Sequence, residues 1–212
     1  MTNFIPLFPL SIVVFPGEEL NLHIFEPRYK QLINDCFEAK KPFGIPTVIN
    51  NAVMECGTLV DIVEITKVYE DGQMDVKTRG TLVFKILEQI QELPQKLYHG
   101  AIVTYPATKY MGSAPLMQKI IESIRELHSI LKVNKNFKKT DKDLCSFDVA
   151  HHAGMSIEEE YQLLEFEQEL HRQEFIKRHL VKVLAMMGQM NKLKEKIQLN
   201  GHFKNLEGFN FG

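Results

Sequence analysis

The chain has 212 residues, of which 44% are hydrophobic and 25% charged, with a formal net charge of −2. That mixture can bury one large core or two small ones and excludes wholesale disorder. The missing basic excess argues against a duplex nucleic-acid binder, so nucleic acid is not an expected partner.

No stretch is long and apolar enough to span a bilayer. The opening Met1–Pro6 has neither a basic n-region nor an apolar h-region. Cys36, Cys56 and Cys145 are odd in number and widely spaced, as expected of reduced thiols in a cytoplasmic protein with no membrane partner.

In chain order, Pro6 and Pro9 forbid a helix in the first ten residues and suit an extended edge segment. A short strand is expected over Ile12 to Phe15, turned by Pro16-Gly17. Leu20, Leu22 and Ile24 alternate with polar residues as a half-buried strand. Glu26-Pro27 opens a helix whose apolar face is Tyr29, Leu32, Ile33, Cys36 and Phe37 and which stops before Pro42. Phe43 to Ile49 is extended. Gly57 precedes a long central strand, Thr58 to Val68, and Asp71-Gly72 marks a hairpin. Met74, Val76 and Thr78 return on alternate positions, Arg79-Gly80 introduces another long strand, and Ala101 to Tyr105 form the last. About six strands with one inserted helix predict a small closed or partly open barrel.

Near Pro106 the period changes from two to 3.6, which places domain boundaries at 1–106 and 107–200, with a mobile tail over 201–212. Ser113 and Pro115 start a helix striped by Met117, Ile120, Ile121, Ile124, Leu127 and Leu131. A lysine-rich loop follows. A short helix from Asp141 or Asp143 closes at Gly154, and Ser156 with Glu159 forms a capping box for the next. The last helix carries Leu170, Ile176, Leu180, Val183, Leu184, Met187 and Met190, and should outlast the bundle because Lys192 to Lys196 is charged all round. That free end makes a homo-oligomer through the last helix an expectation.

The search for chemistry returns no phosphate-binding glycine loop and no nucleophile elbow. Cys36 sits on an apolar stripe and reads as a buried small hydrophobe. The adjacent His151 and His152 would point about 100° apart on a helix and cannot chelate together. Asp148 with His151 offers at most a weak two-ligand site, and no zinc-binding histidine pattern occurs. Glu158, Glu159 and Glu160 are explained by the helix dipole. The expectation is therefore no enzyme, no catalytic residue, no metal and no cofactor.

The run from Ile5 to Leu10, then Val13 to Gly17, then Leu20 to Tyr29 with its Phe-Glu-Pro-Arg-Tyr, resembles the N-terminal domain family of Lon proteases. That family includes the front of ATP-dependent Lon, a region of cereblon and small free-standing bacterial proteins. Gly57 to Val60, the Gly72 hairpin, Gly80, Asp148 to Ala150 and the Ser156 capping box continue the likeness, over about positions 5 to 190. The resemblance implies an α+β chain: a PUA-like pseudo-barrel of about six strands with one helix, then a helical bundle with a long last helix. It implies an ATP-independent, free-standing module that recognises unfolded or hydrophobic polypeptide, feeding a protease or a chaperone, without the ATPase or protease domains. In that frame Pro6, Pro9, Pro16, Gly17, Glu26, Pro27, Arg28, Gly57, Gly72 and Gly80 are architectural, with Glu26 and Arg28 paired. Phe25 and Tyr29 are the candidate peptide contacts, although core packing is the expectation for both. Two other readings stay open: an RNA-binding PUA-like module using the lysine loop, and an enzyme built from dispersed residues.

Overall fold

Alternating β-branched and aromatic residues before position 106 form six strands: β1 (Thr2–Pro6), β2 (Glu19–Ile24), β3 (Phe43–Ile49), β4 (Ala52–Val68), β5 (Met74–Ile90) and β6 (Gly100–Thr104). The computed structural model describes the backbone of residues 2–204 and the side chains of residues 3–198. The strands are antiparallel in the order β1-β6-β5-β4-β3, with β2 also on β5. The 17-residue β5 is the spine. Its first half pairs with β2 and its last with β6, while β4 follows it almost throughout. A sheet this long coils, because each strand is twisted relative to its neighbour. Its two ends meet where Leu7 and Leu10 bridge Gly44 and Thr47 of β3.

The predicted hairpin sits at Asp71-Gly72, where Gly72 takes φ +75°, a conformation that favours glycine. Two expected strands merge, because β5 runs through Gly80 without a break. There the register with β4 slips between Leu59 and Val60, and the Pro16-Gly17 turn takes over from β2. Gly17 N–H donates to Gly80 O at 2.8 Å, and Gly80 N–H donates to Glu18 O at 2.8 Å. So Gly80 marks a bulge inside a strand rather than the start of one.

Ile12 to Phe15 is not a strand. Val13, Val14 and Phe15 are nonetheless buried, because the segment plugs two cores at once. Its backbone is satisfied by side chains instead of a ladder: Phe15 N–H donates to Glu18 Oε2 at 2.9 Å, and the Thr58 hydroxyl donates to Val14 O.

Pro27 occupies the first turn of helix α1 (Pro27–Ala39). Leu32, Ile33 and Cys36 face the barrel, but Phe37 is 48% exposed. At 100° per residue, Phe37 falls about 90° from the centre of that face.

The helical half contains α2 (Ala114–Leu131), α3 (Ser146–Val149), α4 (Ile157–Glu165) and α5 (Glu169–Lys204). Ser113 and Ser156 cap α2 and α4 as expected, the second with Glu159 in a capping box. On α2 the predicted stripe is buried up to Leu127, and only the terminal Leu131 is exposed. The helix predicted from Asp141 to Gly154 is instead α3 between two single 3₁₀ turns, Asp141–Asp143 and Ala150–His152. Side chains hold this stretch in place of a continuous ladder: Ser146 N–H donates to Glu169 Oε1 and Cys145 N–H to Asp148 Oδ2.

On α5 the inward face is Glu169, Arg172, Gln173, Ile176 and Leu180. Leu170, expected on the stripe, is 45% exposed, and Met190 lies where the helix has outrun the bundle. The helix continues to Lys204, past the expected boundary at 200, and the rest of the tail lies outside the described residues. The core under α2, α4 and α5 also takes in Val13, Phe15, Cys56 and Val83 from the barrel half.

Candidate functional site

The barrel is left open beside β1. Phe8 N–H donates to Gly44 O at 2.8 Å and Val48 N–H to Leu10 O at 2.7 Å, which closes it downstream of Leu7. Upstream, β1 and the approach to β3 part, and Thr2–Pro6 keeps β6 as its one strand partner among the described residues. The wedge between them is a groove of about 760 Å³, within the usual range of binding clefts. One wall is Asn3, Phe4, Ile5 and Pro6; the other is the last turn of α1 with Lys41 and Pro42. Tyr98, Lys96 and Tyr105 complete it. Phe4 is half-exposed, with its ring over Gly100, where any Cβ would collide with it.

The far wall is held rigidly. Asp35 accepts from Lys96 Nζ at 2.8 Å and from Tyr98 Oη at 2.7 Å. Burial works to raise the Asp35 pKa, but those two bonds outweigh it and hold the carboxyl below the usual range. Burial, and the bond to Asp35, push the Tyr98 hydroxyl up. Gln31 grips the 91–99 loop from both ends of its amide, accepting from Leu97 N–H at 2.7 Å and donating to Gln95 O at 3.0 Å. Cys36 also lines the groove, but burial lifts its thiol to about 12, so it remains protonated and is no nucleophile at neutral pH. The groove thus offers apolar contact and one open strand edge.

A second cleft, of about 580 Å³, lies between the Pro16–Glu19 turn and the 138–152 stretch. Its centre is His151, which donates from Nδ1 to Glu160 at 2.8 Å and from Nε2 to Glu18 at 3.2 Å. Burial works to lower its pKa, but the two carboxylates prevail and raise it to about 10. Of the other cations lining the cleft, Lys139 pairs with Asp148 and Arg79 with Glu19, while Lys138 has no ion-pair partner among the described residues, so only one cation is left uncompensated for a phosphate backbone. His151 therefore clamps the barrel's Glu18 to Glu160 of α4. A histidine pKa raised above its ordinary value of about 6.5 contributes stability that is fully present below that pH and is lost as pH rises through about 10. The thermal midpoint should fall more steeply between neutral pH and pH ~10 in the wild type than in His151→Gln. Equal falls in the two proteins, recorded by circular dichroism, would show that the clamp adds nothing.

Of the predicted residues Pro6 alone lines the groove, and the rest fall around it. Pro6 ends β1 and lines the groove, and Pro9 follows in the closing segment. Gly17 makes its turn at φ +87°, and Gly57 and Gly80 sit at close crossings of backbone. Arg28 pairs with Glu26 at 2.7 Å. Tyr29 packs on Phe8, with ring centroids 4.1 Å apart, and carries the Arg28 guanidinium 4.6 Å from its ring centroid. Phe25 is 59% exposed, against the expectation that it enters the core. The alternation of β2 explains this, since Leu22 and Ile24 point in and Phe25 shares the outward parity of His23. Neither Phe25 nor Tyr29 lines the groove. Phe4, Asp35, Lys96, Tyr98 and Tyr105 were not foreseen. Phe4, two residues before Pro6, carries the one readable signal, an aromatic on an edge segment.

Among the described residues no three His, Cys, Asp or Glu side chains cluster as metal ligands, and no helix is long and apolar enough to cross a membrane. Asp148, weighed as half of a metal pair, is engaged by Lys139 and the Cys145 amide.

Comparison with known proteins agrees with this architecture. The family model described as the ATP-dependent protease La (LON) substrate-binding domain matches residues 5–182. Among solved structures, a Lon N-terminal domain protein from Xanthomonas campestris is similar at 22% identity and a TM-score of 0.60, covering 86% of this chain and 98% of its own. The N-terminal domain of Mycobacterium avium complex Lon protease is similar at 14% identity and a TM-score of 0.60, covering 84% of this chain and 98% of its own. At these identities the structural likeness speaks for the fold.

Proposed function

The chain belongs to the Lon substrate-binding domain family, and from that premise we propose that it is a non-catalytic module that captures unfolded or exposed apolar polypeptide in the groove beside β1. One observation carries the reading: the groove combines an open strand edge with half-exposed Phe4 and with Tyr98, Tyr105 and Pro42. Folded proteins satisfy their own backbone and bury their own apolar side chains, so such a surface selects chains that have done neither. Phe25, exposed just past the end of β2, and Tyr29, packed on Phe8, are proposed as secondary contacts. Hand-over to a protease or chaperone belongs to the same proposal.

Fluorescein-labelled, carboxymethylated α-lactalbumin, which cannot refold, is the probe. Anisotropy should show saturable binding that tolerates added salt, and Phe4→Asp should weaken it by about tenfold or more with the thermal midpoint little changed. Undiminished binding by that variant would remove the groove from the proposal. A structured RNA hairpin run alongside tests the rival reading. Salt-sensitive RNA binding without polypeptide binding would favour it, with the loop cations Lys135 and Lys138 as the place to look.

A further inference from the structure

We propose that the ligand enters as a β-strand, an extended segment of about four residues that adds to the outer edge of β1. This rests on the reading that the groove takes polypeptide, and goes further by fixing the conformation and the recognition chemistry.

β1 pairs residue by residue with β6, from Thr2 opposite Thr104 to Pro6 opposite Gly100. Its other edge forms a wall of the groove; among the described residues no strand pairs along it, and β3 meets it only at the Pro6 end, where Leu7 bridges Gly44. An antiparallel strand turns alternate N–H and C=O groups to each side, so about half of the β1 backbone groups face the groove. Natural proteins blunt such edges with charged side chains, bulges or a covering loop. Here Thr2–Pro6 carries no charge, and its pairing with β6 has no register shift.

The edge has a defined end. Pro6 has no N–H to give, and beyond it Phe8 is already bonded to Gly44. Incoming pairing therefore stops at Ile5, and at ~3.4 Å per residue the open edge from Thr2 is about 14 Å long. Residues of the added strand would point alternately toward Phe4 and Tyr105 on the open side and toward the α1 wall. Apolar side chains at every second position are the expected preference. The main chain supplies affinity whatever the sequence, which suits a module that must accept many unfolded chains.

The test uses the full chain and a fluorescein-labelled heptapeptide of alternating valine and threonine. Two further versions are N-methylated, one at the odd positions and one at the even. A strand added to β1 turns only one parity of N–H toward it. One methylated series should therefore bind about tenfold or more weakly, and the other within about twofold of the unmodified peptide. Equal effects of the two series, small or large, overturn strand addition while leaving polypeptide capture intact. So does a heptapeptide that fails to bind when carboxymethylated α-lactalbumin binds. If neither probe binds, both proposals fall. A sedimentation mass of two chains at the assay concentration, with no parity effect, would assign the edge to a second copy and overturn the inference.

Discussion

Replacing Arg172 with alanine is expected to destabilise the fold by about 3–5 kcal/mol, the loss typical of breaking a buried ion pair from one side. Arg172 is fully buried, and so is Glu169 one turn earlier. Its guanidinium donates to Glu169 Oε2 at 2.9 Å, to Phe166 O at 2.6 Å, to Lys109 O at 2.9 Å and to Ser146 Oγ at 2.9 Å. It also lies 4.3 Å from the centre of the Phe147 ring. One side chain thus ties the linker after the barrel, α3, the end of α4 and the start of α5. Alanine would leave the Glu169 carboxylate buried without its cation and three other acceptors short of a donor. Urea unfolding should show a lower midpoint with an unchanged slope. The double variant Arg172→Met with Glu169→Met should recover part of the loss, because removing both charges also removes the desolvation that only their pairing offsets. A loss below about 1 kcal/mol for Arg172→Ala would mean that water reaches the site on truncation and the network is not structural.

Residues 169–174 show where reading a sequence by polarity fails. Glu-Leu-His-Arg-Gln-Glu looks like a solvated face interrupted by one apolar residue. The structure inverts it, with Glu169, Arg172 and Gln173 buried and Leu170 exposed. Nothing in the spacing signals this, because the partners are backbone carbonyls at Lys109 and Phe166 that only the fold brings near. Where period and burial coincide the structure is legible in the sequence, as for Met117 to Leu127 on α2, the alternation of β2 and the two serine caps. Strand identity was harder. Ile12 to Phe15 has every local mark of a strand yet finds its partners in Glu18 and Thr58, and the sequence of β5 looks like two strands because Gly80 resembles a break. The groove was the least legible feature. It exists because β1 and β3 touch at Leu7 and diverge upstream, a property of closure that no local pattern encodes.

Gly57→Val is expected to cost about 3 kcal/mol or more, and its cause is space rather than backbone conformation. On β4, Gly57 lies opposite Pro46 of β3 and Phe84 of β5. A Cβ there would strike Ile45 O, and would stand 2.6 Å from Pro46 Cα and 2.6 Å from the Phe84 ring. The same fully buried ring crowds Gly44, where a Cβ would come within 2.8 Å of it. Two glycines on facing strands thus make room for one phenylalanine. If the ring were the only obstacle, Phe84→Leu would relieve the valine. Two of the three obstructions are β3 backbone, so the double variant Gly57→Val with Phe84→Leu should be no more stable than Gly57→Val alone. Gly188 gives the contrast, since nothing lies within 4 Å of a Cβ on that half of α5 and alanine there should be neutral or mildly stabilising. Displacing β3 should also reach the groove, because Pro42 in its wall immediately precedes β3. At temperatures where Gly57→Val is still folded, its binding of carboxymethylated α-lactalbumin should fall along with its stability. Full affinity in a destabilised but folded variant would show that the groove does not depend on where β3 lies.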